Sequence, residues 1–136
     1  MPMKTNRSLL LITFASIALF GALHQIGSAF FFYWSLGWFD GLMHFLGGLS
    51  MGLLFLWIRY ASSLFAKVVP SNKGIMLGVL GFVLVVSVGW EIFEYVFDIA
   101  DPIGGNYVLD TTYDLIFDFC GAVVAGLIGR TKRLYD

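Results

Sequence analysis

A chain of 136 residues in which 59% are hydrophobic and only 12% charged is not an ordinary soluble domain. The single cysteine, Cys120, excludes an internal disulfide framework, and no basic tract with interleaved aromatics points to nucleic acid. The net charge of −1 is the difference between two segregated populations, as the elements taken in order make clear.

A membrane-crossing helix needs roughly 20 apolar residues. The first such run, residues 8–32, is broken only by His24 and Gln25. Lys4 and Arg7 ahead of an apolar core also open a secretory signal peptide. This run continues through Phe30, Phe31 and Phe32, beyond a typical signal core, so a retained helix is expected. The second run, 40–60, starts at Asp40 and carries His44 one turn in. The third, 74–97, is apolar until Glu91 and Glu94 near its end. The fourth, 110–129, carries Asp110, Asp114 and Asp118 at i, i+4 and i+8. The expectation is an all-α, polytopic four-helix bundle forming one integral membrane domain over residues 1–136.

Four spans put all eight Lys and Arg residues on one side: Lys4 and Arg7, then Arg59, Lys67 and Lys73, then Arg130, Lys132 and Arg133. The positive-inside rule makes that side cytoplasmic, with both termini on it. Eight of the nine acids lie on or near the other side; only Asp136 sits with the bases. Tyr33, Trp34, Trp38, Tyr107 and Tyr113 supply an outer aromatic belt, and Trp57, Tyr60 and Tyr135 an inner one.

The segment from Asp40 through His44, Phe45, Gly48 and Gly52 can be laid on that from Asp114 through Asp118, Phe119, Ala122 and Gly126. Either this register marks two pseudo-symmetric hairpins, or common residues align by chance. The pairs Gly48/Gly52, Ala122/Gly126 and Gly74/Gly78 would let helix backbones approach closely.

At 1.5 Å rise per residue, His44 lies ~6 Å, Glu91 ~9 Å, and Asp118 and His24 ~12 Å inside the outer helix ends. His44, Glu91, Glu94, Asp114 and Asp118 therefore share the outer half of the bilayer, with no Lys or Arg at their depth. Several carboxylates in a small low-dielectric volume need protons or a cation. Carboxylate with imidazole and no thiolate suits a divalent ion such as Mn, Zn, Fe or Mg. Asp40 and Asp110 are read as helix N-caps first and ligands second. His24 serves equally as a ligand or as packing glue. Asp98 and Asp101 read as solvated loop residues, and Cys120 as inert core.

The pattern Asp40-x-x-x-His44-Phe45, Trp90-Glu91-x-x-Glu94, and Asp110-Thr-x-x-Asp114-Leu-x-x-Asp118-x-x-Gly121-Ala122 resembles the YjdF-like family of small bacterial inner-membrane proteins. More distantly it is similar to the VanZ-like family associated with glycopeptide-antibiotic resistance. The latter pattern favours Lys where this chain has Gly41, and Gln and Asn where it has Glu94 and Asp118. The resemblance implies an envelope role at the bacterial inner membrane without naming a reaction.

Three functions compete. The first is a metal-dependent hydrolase acting on an amphiphilic, lipid or lipid-linked envelope substrate, with Glu91 and Glu94 the best candidate catalytic carboxylates. The second is a proton- or cation-coupled transporter or ion-binding protein, which at four helices needs a homodimer. Its weakness is an inner half offering only Ser50, Ser62, Ser63 and Ser87 as a polar path. The third is an accessory protein whose metal only holds the bundle together.

Overall fold

Side-chain caps and backbone breaks set the helix limits in the computed structural model, which describes residues 7–62, 64–65, 70–99 and 105–131. The first helix, α1 (Arg7–Ala29), stops three residues short of the predicted end. Phe31 takes a left-handed conformation, φ 60°, which an α-helix cannot continue. A short helix, α2 (Phe32–Ser35), and a turn lead into α3 (Phe39–Leu56). α3 ends in a π-helical turn, Trp57–Ala61, closed by Ser62 N–H donating to the Trp57 carbonyl at 2.7 Å.

α4 (Asn72–Phe97) begins two residues before the predicted start, because the Ser71 hydroxyl accepts from Gly74 N–H at 3.0 Å. Asp98 closes it in a left-handed conformation. α5 (Tyr107–Gly129) begins three residues early, capped by the Asn106 side chain on Leu109 N–H at 3.1 Å. The Asn106 cap corrects the N-cap reading of Asp110, and the start of α3 at Phe39, with Trp38 at the cap position, corrects that of Asp40. Both acids lie inside the first turn of their helix, where negative charge faces the positive end of the helix dipole.

Four helices, counting the π-helical turn with α3, are long and apolar enough to cross a membrane. No strand occurs among the described residues. α3 is central and packs most extensively on α5; α4 packs on both, and α1 leans on α3. Small residues permit the α3–α5 approach. A methyl group on Gly48 would run into the Asp118 backbone, and one on Gly121 into the Phe45 carbonyl. Gly52 faces Ala125 and Val79. Gly126 receives Met76 and Gly78 the Phe55 ring, whereas Gly74 belongs to the Ser71 cap. In lipid, such close packing replaces the hydrophobic drive of water.

A two-fold exchanging the Gly48–Asp118 and Gly121–Phe45 contacts maps Gly48 onto Gly121. That is one residue off the Gly48–Ala122 register read from the sequence. The exchange is also incomplete, since α1 has no packing on α5 comparable to that of α4 on α3.

The apolar core fills one half of the bundle. Leu9, Leu53, Leu56, Ile75, Val79 and Val83 meet there with Ala122 and Ala125. Thr13 donates to the Leu53 carbonyl at 3.3 Å, and Ser16 and Ser50 share a hydrogen bond of 2.7 Å. These hydroxyls tie α1 to α3. Arg7, Arg59, Lys73 and Arg130 sit at the helix ends of this half, and the acids of α3, α4 and α5 lie toward the opposite ends. Lys4, Ser63, Lys67, Asp101, Lys132, Arg133, Tyr135 and Asp136 lie outside the described residues.

Candidate metal centre

The periodicity of α5 builds the site. Asp110, Asp114 and Asp118 recur every fourth residue, so all three lie on one face, and all three are buried. One turn further along the same face come Gly121 and Ala122, and after a second turn Ala125 and Gly126. One surface of α5 is thus acidic at one end and small at the other. The small end draws α3 close; the acidic end then meets His44.

His44 is the hub. Its Nδ1 lies 3.3 Å from Asp118 Oδ2, and its Nε2 lies 3.6 Å from Asp114 Oδ1 and 4.0 Å from Asp40 Oδ1. The His44 side chain is 9% exposed and that of Asp114 5%, whereas Asp40, one turn nearer the helix end, is 45% exposed. Two groups of three could hold a metal ion: Asp40, His44 and Asp114, and His44, Glu91 and Glu94. Within each, the ligand atoms lie within 4.8 Å of one another. Both groups include His44, so the α3–α5 seam and the α4 carboxylates form one constellation.

The donor set fits a hard or borderline divalent ion: carboxylate oxygens with one imidazole, and no thiolate. Cys120 is exposed on another face of α5, which corrects its reading as core. Asp118 belongs to neither group of three; its Oδ2 meets the His44 ring at Nδ1, 3.3 Å away. Asp110 is buried on the wall of the cleft described below.

Glu91 is held by Thr111, whose hydroxyl donates to Oε2 at 2.9 Å. Its other oxygen, Oε1, is buried with no hydrogen-bond partner among the described residues. Such an orphan acceptor costs stability unless something fills the gap. Glu94 takes a hydrogen bond from the Trp90 side chain.

Glu91, Glu94, Asp110 and Thr111 also line a cleft of about 290 Å³ between α4 and α5. Its wall toward the middle of the bundle is Val88 and Leu115, and Ile92 lies on its exposed edge beside Glu91. Tyr95 and Tyr107 stand at its acidic-end mouth with ring centroids 5.6 Å apart. The Tyr107 hydroxyl donates to Asp98 at 3.1 Å.

His24 joins neither metal-competent group. It is exposed on α1, with Nδ1 2.8 Å from the Tyr33 hydroxyl. Tyr33 reads in the sequence as a belt aromatic, yet it borders the site. Burial, with the nearby carboxylates of Asp40 and Glu94, pushes its phenol up to about 12. Thr111 was missed too. In the sequence it stands out only as the threonine of the Asp110-Thr-x-x-Asp114 pattern, and its contact with Glu91 comes from the packing of α5 on α4.

The family model described as "Predicted membrane protein (DUF2238)" matches residues 3–133. No curated protein and no solved structure matches the chain. The YjdF-like resemblance is consistent with the family match, which covers nearly the whole chain. With four spanning helices and a match of that extent, this multi-pass membrane protein belongs to the DUF2238 family.

Proposed function

We propose that the protein binds one divalent metal ion, of the Mn, Zn, Fe or Mg type, in the outer half of the bacterial inner membrane, with both termini cytoplasmic. The observation that carries this reading is His44 set among Asp40, Asp114 and Asp118, with Glu91 and Glu94 within ligand reach. The one-sided Lys and Arg distribution supports the orientation. The YjdF-like and, more distantly, VanZ-like likeness supports an envelope role.

The reaction class best suited to these groups is hydrolysis of an amphiphilic envelope substrate. Asp40, His44 and Asp114 would hold the ion. Such an ion supplies a water acidified toward neutral pH. Glu91 Oε1, buried and without a partner, is the candidate general base, and Thr111 fixes its carboxylate. Trp90 steadies Glu94 beside it. A proton- or cation-coupled transporter finds less support, because the hydroxyls of Thr13, Ser16 and Ser50 are engaged in tying helices together.

The test is elemental analysis of protein purified without chelator, alongside His44→Ala and Asp114→Asn. About one ion per chain is expected in the wild type, with most of it lost in either variant. A wild type that carries no ion and gains no thermal stability from Mn, Zn, Fe or Mg overturns the reading. An ion that raises stability without any hydrolysis leaves it a structural staple between α3 and α5.

A further inference from the structure

We propose that the cleft between α4 and α5 is a binding site for an amphiphile with a cationic head, an ammonium group on an alkyl chain, entering sideways from the bilayer. The proposal concerns the same constellation as the metal reading but stands without the metal, because the cleft and its charge are built by the chain alone.

The order of residues along the two helices sets the orientation. On α4, Val88, Glu91 and Tyr95 follow one another toward the acidic end; on α5, Leu115, Thr111 and Tyr107 do the same. At 1.5 Å per residue, Val88 to Tyr95 spans about 10 Å. The walls therefore run from apolar, at the middle of the membrane, through carboxylate, to aromatic at the mouth. That is the polarity profile of a single-chain amphiphile: chain toward mid-bilayer, head at the level of Glu91, Glu94 and Asp110. Ile92, 59% exposed, lies where the cleft meets the lipid, so a chain can enter without crossing the water interface.

Charge complementarity selects the head. Glu91, Glu94 and Asp110 line the cleft, and Asp40, Asp114 and Asp118 stand behind them around one imidazole. Even with some of these six carboxyl groups protonated, the only basic side chain among them is the His44 imidazole. The described Lys and Arg residues all lie toward the other end of the bundle. An anionic phosphate or carboxylate head meets net repulsion here, while an ammonium meets attraction from the acids. The faces of Tyr95 and Tyr107 at the mouth add cation–π attraction.

The experiment is calorimetric titration of the protein in zwitterionic nanodiscs, corrected for partitioning into empty discs. The probes are dodecylammonium, dodecyl sulfate and dodecyl maltoside. Saturable binding of dodecylammonium is expected, about tenfold or more tighter than the maltoside, with no saturable binding of the sulfate. Leu115→Trp fills the apolar wall while leaving every carboxyl group in the chain, and should abolish that binding while Mn binding in the same sample persists. Ile92→Trp, at the exposed edge, is the second variant should Leu115→Trp fail to fold. Equal binding of the sulfate or the maltoside, or ammonium binding untouched by filling the cleft, overturns the proposal. Ammonium binding by protein that takes up no metal leaves it standing and removes the metal reading instead.

Discussion

Gly48→Ala joins packing to chemistry in one perturbation. The added carbon would stand 2.7 Å from the Asp118 carbonyl carbon and 2.8 Å from its Cα. Ordinary carbon contact is ~3.5 Å. The obstacle is backbone, so no side chain can swing aside; α3 and α5 must part by about 0.8 Å or more. That displacement takes the 3.3 Å His44–Asp118 hydrogen bond out of range. Overpacking costs about 1–3 kcal/mol, and a weakened charge-assisted hydrogen bond adds about 1 kcal/mol. The expected destabilisation is about 2–4 kcal/mol, read as lost helicity in a denaturant titration of detergent-solubilised protein, together with reduced metal content. Gly81→Ala is the control. Nothing lies within 4 Å of its added methyl group, so Ala there should be neutral or stabilise the helix by up to about 1 kcal/mol. If Gly48→Ala proves as stable as Gly81→Ala, the close α3–α5 seam is wrong, and with it the placement of His44 among the aspartates.

His24→Ala should leave bound metal unchanged while His44→Ala removes it; equal losses would put His24 in the site after all. Asp118→Asn keeps a side chain that can meet His44 but removes the charge, and should weaken metal binding roughly tenfold, the usual cost of losing an outer partner, whereas Asp98→Asn should not. Tyr33 should resist ionisation up to about pH 12 in folded protein against the ordinary value of 10.0. Because the raised group favours the protonated folded state, its contribution is intact below pH 10 and lost as pH climbs toward 12. Absorbance at the phenolate band in wild type and Tyr33→Phe checks this. Reporter fusions after Arg133 and within 62–73 should read cytoplasmic, and one within 99–107 periplasmic; a periplasmic C-terminus refutes the orientation.

Much of this was legible in the sequence because lipid leaves few options. Apolar length marks the four spans, and acids recurring every fourth residue on α5 can only share a face. The break after Ala29 was hidden, since Phe31 turns left-handed with no Gly or Pro at that position to announce it. The starts of α4 and α5 were shifted by Ser71 and Asn106, polar residues just outside the apolar runs that defined the spans. That shift changed Asp110 from a cap to a buried wall residue. Thr111 and Tyr33 were obscured for another reason: their roles depend on Glu91, Asp40 and Glu94, residues on neighbouring helices that no local pattern connects. Repeat alignment located the seam but slipped by one residue, because contact between parallel helices is set by which glycine admits which backbone.

The placement of the three aspartates on α5 bears on how the chain is made. α5 is the last of the four spans to leave the ribosome and the least apolar. An aspartate at the centre of a lone helix costs about 2.5–3.5 kcal/mol to insert, less toward the interface. α3 is made first, so His44 and the groove of Gly48 can be in place to receive α5. α5 can therefore enter against a waiting partner instead of bare lipid, its acids meeting an imidazole as its glycines meet a backbone. A chain cut before α5 would have neither the metal-competent seam nor the α4–α5 cleft. In this protein, completing insertion and completing the site are the same event.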